Sequence, residues 1–173
     1  MISLNIASLR IGYINLIMNE GEWLMKVIFL DIDGVLNSKG TSTLDDTYIS
    51  RLKEIVKATD AKIVLSSSWK DVIYNPETYN DTDRKMLDTL MNMDGLPFAG
   101  VLPDINEDKR EIEISEWLRD RKGKVESFVI LDDLPYKFKE YFPNNFVKTG
   151  GYLLGGLSEE NVEEAVRILN KED

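Results

Sequence analysis

From Met25 onward, short unbroken apolar runs rich in β-branched residues alternate with segments of helical periodicity, and this alternation constrains the fold most. "KVIFLD" (26–31), "KIVLSS" (62–67) and "SFVILDD" (127–133) read as buried strands, with "FAGVL" (98–102) and "NFVK" (145–148) as weaker ones. Between them, Tyr48, Leu52, Ile55 and Thr59 recur at helical spacing. Met86, Leu87, Leu90 and Met91 mark a second helix, closed by Asp94-Gly95. Ile114, Trp117 and Leu118 share one face of a third helix over 109–121. Ser158 caps a last one, whose buried face carries Val162, Ala165, Val166 and Leu169. Strands that are apolar throughout must be covered on both faces, so the expectation is an α/β domain with a mostly parallel sheet between helical layers.

The chain has 173 residues, 43% of them hydrophobic, which is enough for one sizeable core and too little for two. Its net charge of -10 argues against a broad nucleic-acid-binding surface and against an anionic membrane. It leaves room for a small phosphorylated group held by a few local cations. Cysteine and histidine are both absent. Acid–base chemistry near neutral pH therefore falls to Asp, Glu, Lys or Tyr, and a metal site must be oxygen-rich, which suits magnesium or calcium. The lack of cysteine is compatible with a reducing cytoplasm, the expected location. Residues 1–24 are apolar but broken by Asn5, Arg10 and Asn15, a poor membrane span and not a signal peptide. Met25 reads as a second possible start, with 1–24 an N-terminal extension or translated leader and 25–173 a single domain.

In open parallel sheets, ligands bind beyond the carboxyl ends of the strands. Those ends form a set here: Asp31-x-Asp33, then Ser66, then Lys109-Arg110 opening a helix, then Asp132-Asp133. Each has a plain reading alone: an Asp-Gly turn, a serine-rich loop, a solvated helix start, a polar strand end. Together they crowd like charges on one sheet edge, which is costly unless a cation neutralises them.

The order acid, hydroxyl, base, acid, with "FLDIDGVLNS", resembles the haloacid dehalogenase (HAD) superfamily of phosphatases and phosphotransferases. "IVLSSSWK", "KREIEISEWL", "FVILDD" and "FVKTGGYLLGGLSEENVEEAV" look more particularly like its small capless branch, found as domains in RNA-repair proteins and as stand-alone proteins. A two-component receiver domain also combines Asp pairs, a hydroxyl and a Lys, but there the Lys comes last, whereas here it precedes the final Asp pair. The resemblance implies a three-layer Rossmann-like fold without a substantial cap, since 33–66 and 66–109 hold only ordinary sheet elements. It implies a Mg²⁺-dependent phosphatase acting on a phosphomonoester through an aspartyl-phosphate.

By motif position, Asp31 is the implied nucleophile and Asp33 the acid–base. Ser66, with Ser67 beside it, is the implied phosphate-binding hydroxyl. For the implied cation, Lys109 is the usual residue type of the superfamily, while Arg110 aligns better with the spacing to Glu113-Ile114 and Trp117-Leu118. One points inward and the other outward, and Lys109 is taken first. Asp31, Asp132, the backbone carbonyl of Asp33 and, directly or through water, Asp133 are the implied magnesium ligands. Trp69 reads as core or rim packing, and 70–85 as a plain surface loop. The implied partner is a phosphorylated small molecule or a nucleic-acid end. The alternatives are a phosphotransferase and a silent or partner-dependent phosphate-binding module.

Overall fold

The computed structural model describes residues 24–37, 43–105 and 109–172. The expectation of an extension or leader over 1–24 therefore lies, Leu24 apart, outside the described residues. Five strands, β1 (Met25–Leu30), β2 (Lys62–Leu65), β3 (Phe98–Val101), β4 (Val125–Asp132) and β5 (Phe146–Lys148), form one sheet in the order β3-β2-β1-β4-β5, with every pairing parallel. Each apolar run read from the sequence is a strand, with ends differing by a residue or two.

Side chains alternate between the two faces of a strand, and both faces are buried here. Ile28, Leu30, Ile63, Leu65, Val129 and Leu131 belong to one core cluster. Helices α1 (Asp46–Thr59), α3 (Asp81–Met91) and α7 (Glu159–Asn170) cover it with Leu52, Ile55, Leu87, Leu90, Ala165 and Leu169. Val27, Phe29, Val64 and Ile130 line the other face, beneath Ile114 and Trp117 of α4 (Arg110–Asp120) and Phe138 of the short α5 (Phe138–Tyr141). Phe29 meets the Trp117 ring edge-on at 5.3 Å. Each such side chain, fully buried, contributes about 1.5–3 kcal/mol before the entropy of ordering it.

Helix ends follow local chemistry. Asp45 caps α1 by accepting from the Thr47 amide at 2.8 Å, and Ser158 and Asn161 cap α7 reciprocally. Segment 70–85 is not a plain loop. It holds α2 (Asp71–Tyr74), a tight turn at Pro76–Thr78 and the start of α3. Tyr74 donates to the Leu102 carbonyl at 3.0 Å and Arg84 to that of Pro76 at 2.5 Å. One-turn helices are too short to show a periodicity. A further one, α6 (Gly151–Leu154), was likewise invisible in the sequence. Among the described residues no inserted domain covers the carboxyl edge of the sheet, and no helix is long and apolar enough to cross a membrane.

Candidate active site

Strand register brings the candidate residues together. Leu30 lies beside Leu65 and Leu131, so the next residues, Ser66, Asp31 and Asp132, form a row across three adjacent strands. The pairing carries on into the row: the Ser66 amide donates to the Leu30 carbonyl at 2.7 Å, and the Asp31 amide to that of Leu131 at 3.0 Å. By the period of two, all three fall on the face covered by α4, and all three are buried. The row sits where the chain order reverses on either side of β1, the usual place for a ligand in an open sheet.

Helix α4 delivers the cation. Arg110, Ile114 and Trp117 follow i, i+4, i+7 spacing and so share its inward face. Arg110 Nη1 lies 2.5 Å from Asp132 Oδ2 and 3.3 Å from Asp31 Oδ2, with its guanidinium 4.9 Å from the centre of the Tyr136 ring. Lys109 is exposed, in the N-cap position of the helix. The preference for Lys109 is thus reversed: the inward cation is Arg110. One residue of helical phase turns a side chain by about 100°, and the apolar face of α4 includes position 110 but not 109.

Burial pushes the Asp31 carboxyl above the usual carboxylate range, against the pull of Arg110 and a hydrogen bond with the Ser67 side chain. Burial and the neighbouring Asp31 charge push Asp132 up to about 8, again against Arg110. Burial also works against the charge of Arg110, but Asp31 and Asp132 outweigh it and hold the guanidinium above its ordinary value. Two buried carboxylates facing one guanidinium leave the row short of positive charge. Asp133 adds to the deficit, because Asp31, Asp132 and Asp133 each bring an oxygen within 4.8 Å of the others. This all-oxygen set fits a hard divalent cation and offers nothing to a soft one.

The two serines behave differently. Ser66 Oγ is buried without a hydrogen-bond partner, an expensive condition unless a ligand oxygen meets it. Ser67 Oγ is engaged within the protein, accepting from the Trp69 amide at 3.3 Å and supporting Asp31. It caps the turn at Ser68–Lys70.

Asp33 leaves the row through Gly34, whose φ of +74° is glycine's territory. A Cβ on Gly34 would also come within 2.5 Å of the Asp133 carboxyl carbon. The Asp33 side chain stands apart from the acidic triplet. Its Oδ1 accepts from Asn37 Nδ2 at 2.7 Å and its Oδ2 from Trp69 Nε1 at 2.9 Å. Asn37 in turn accepts the Gly34 amide at 2.9 Å, and Thr149 Oγ1 donates to the Gly34 carbonyl at 2.7 Å.

Several contributors escaped the sequence reading: Trp69 and Asn37 on Asp33, Tyr136 against Arg110, and Lys70. Lys70 is buried and meets Glu113 Oε1 at 2.5 Å, the Pro103 carbonyl at 3.3 Å and Asp104 Oδ1 at 3.6 Å. It ties the loop after β3 to the first turn of α4. Only the i, i+4, i+7 spacing of Arg110 offered a signal in advance.

A family model described as the HAD domain in Swiss Army Knife RNA repair proteins matches residues 27–162. No curated protein and no solved structure matched the chain.

Proposed function

This chain belongs to the HAD domains of Swiss Army Knife RNA repair proteins, and from that premise we propose that it is a magnesium-dependent phosphatase acting on a phosphomonoester through an aspartyl-phosphate. The observation that carries this reading is the buried row: Asp31 beside Asp132, with Asp133 within reach, Arg110 facing both and the Ser66 hydroxyl unpartnered.

Asp31 attacks phosphorus with a carboxylate oxygen, the P–O ester bond breaks, and Asp33 gives a proton to the leaving oxygen. Asp33 then takes a proton from water as that water attacks phosphorus. The bond to Asp31 breaks, releasing inorganic phosphate and the free carboxylate. Arg110 and Ser66 hydrogen-bond the phosphoryl oxygens, the guanidinium exchanging part of its contact with Asp132 for the incoming group. Asp31, Asp132, Asp133 and the Asp33 backbone carbonyl would hold magnesium, which supplies the charge neutralisation that the carboxylates and phosphoryl oxygens together require.

With no cap among the described residues, the site is open to a phosphate carried on a large body. The substrate class is therefore a nucleotide, a nucleic-acid end or another phosphorylated metabolite. The family description favours a nucleic-acid end, and the net charge of -10 confines that contact to the terminus. The test is hydrolysis of an aryl phosphate with and without Mg²⁺, for the wild type and Asp31→Asn, beside a panel of nucleotides and phosphorylated oligonucleotides. Metal-dependent turnover that Asp31→Asn abolishes is the expected result. A folded protein that neither turns over any phosphomonoester nor binds Mg²⁺ would sink the reading.

A further inference from the structure

The Trp69 indole crosses from the β2 loop to the β1 loop to reach Asp33. We propose that Trp69 is a positioning residue for the acid–base carboxyl, holding Asp33 where it meets the leaving oxygen; the inference rests on the phosphatase reading above. Trp69 Nε1 donates to Asp33 Oδ2 at 2.9 Å while Asn37 Nδ2 donates to Oδ1 at 2.7 Å. Each carboxylate oxygen has two lone pairs. One donor on each fixes the plane of the group and leaves a lone pair for the exchanged proton.

The two donors are not equivalent. Asn37 belongs to the same short loop as Asp33 and moves with it. Trp69 belongs to another strand's loop, so its bond ties the Asp33 carboxyl itself to the neighbouring strand, whereas Thr149 ties only the backbone at Gly34. Its own support is rigid on both sides. Ser67 caps the turn that carries Trp69 by accepting its amide, and the next residue, Lys70, is anchored in the buried Glu113. The ring packs against the core cluster under α1 and α3.

A positioning role separates from packing through the leaving group. An alkyl phosphate needs a proton on the departing oxygen, whereas an activated nitrophenyl phosphate leaves without one. Trp69→Phe keeps an aromatic ring and removes the donor. For the alkyl substrate its kcat/KM, which reports the step that releases the leaving group, is expected to fall by about ten- to a hundredfold. For the nitrophenyl substrate it stays within about twofold. Equal losses on both substrates, or none on either, overturn the inference and leave Trp69 as packing. If the wild type turns over no phosphomonoester and binds no Mg²⁺, the phosphatase reading fails separately, and the Trp69 indole N–H still decides the contact. Slow exchange by NMR that Asp33→Ala makes fast supports the tether; exchange unaffected by Asp33→Ala overturns it.

Discussion

Arg110 and Lys70 each end 2.5 Å from a buried carboxylate at the opening of α4, and their surroundings differ in one respect. Lys70 sits in a closed account of bonds. Its Nζ meets Glu113, Asp104 and the Pro103 carbonyl, and the shared Glu113 oxygen also accepts the Ile105 amide at 3.3 Å. Arg110 faces more negative charge than it can answer, beside a hydroxyl with no partner. A structural ion pair is completed by the fold. The neighbouring cluster is left incomplete by the fold, as the proposed uptake of a cation and a phosphoryl group requires. One helix serves both, and the closed pair holds in place the turn from which the open one reaches.

The largest effect expected from this contrast is on chemistry. Asp31→Asn should lower turnover by about 10⁴-fold or more, while raising the melting temperature of the metal-free protein, because it removes one of the crowded charges. A variant losing both activity and stability would erase the distinction between the clusters. In the closed pair the signs reverse. Glu113→Ala leaves the buried Lys70 with only the Pro103 carbonyl and the more distant Asp104 and should cost about 3 kcal/mol in denaturant unfolding. Combining Lys70→Met with Glu113→Leu should recover most of that stability. Next, Arg110→Ala should reduce kcat/KM by about 10²–10³-fold, against about twofold or less for the exposed Lys109→Ala. Comparable losses would put the lysine back in the site.

The smallest effect concerns pH. Asp132 is pushed up to about 8 in the folded protein, so the fold keeps a proton that the unfolded chain releases near pH ~4. Stability contributed by this group therefore falls as pH rises from about 4 to about 8. Protein treated with EDTA should melt at a lower temperature near pH ~8 than near pH ~6, and Asp132→Asn should flatten the difference. Mg²⁺ at about a hundred times its Kd should restore roughly 5–10 °C, more at the higher pH. A melting temperature indifferent to Mg²⁺ at both pH values would count against a metal at this edge.

What the sequence disclosed follows the range of each interaction. The row Asp31, Ser66, Asp132 was legible because each residue ends an uninterrupted apolar run, and parallel register then aligns the ends. Arg110 was half legible: the spacing to Glu113-Ile114 and Trp117-Leu118 in the resembled capless branch favoured it, and the superfamily's usual residue type favoured Lys109. The Trp69–Asp33 bond joins residues on different strand loops, a contact that no local pattern encodes. Lys70 is buried because Glu113, 43 residues on, makes burial tolerable. The short helices in 70–85 and 151–154 fall below the length at which an apolar face repeats.

The central position of β1 has a consequence for how the molecule comes into being. Asp31 emerges from synthesis before its neighbour Asp132, which lies on a strand that follows α1 to α4, so one part of the constellation waits for the other. Long-range parallel pairing of this kind closes late. A nascent or truncated chain ending at α4 would carry the Asp31–Asp33 pair with no counterpart. Cutting the chain in the turn between α4 and β4 should therefore give two inert fragments whose catalysis returns only on reassociation, a natural split reporter.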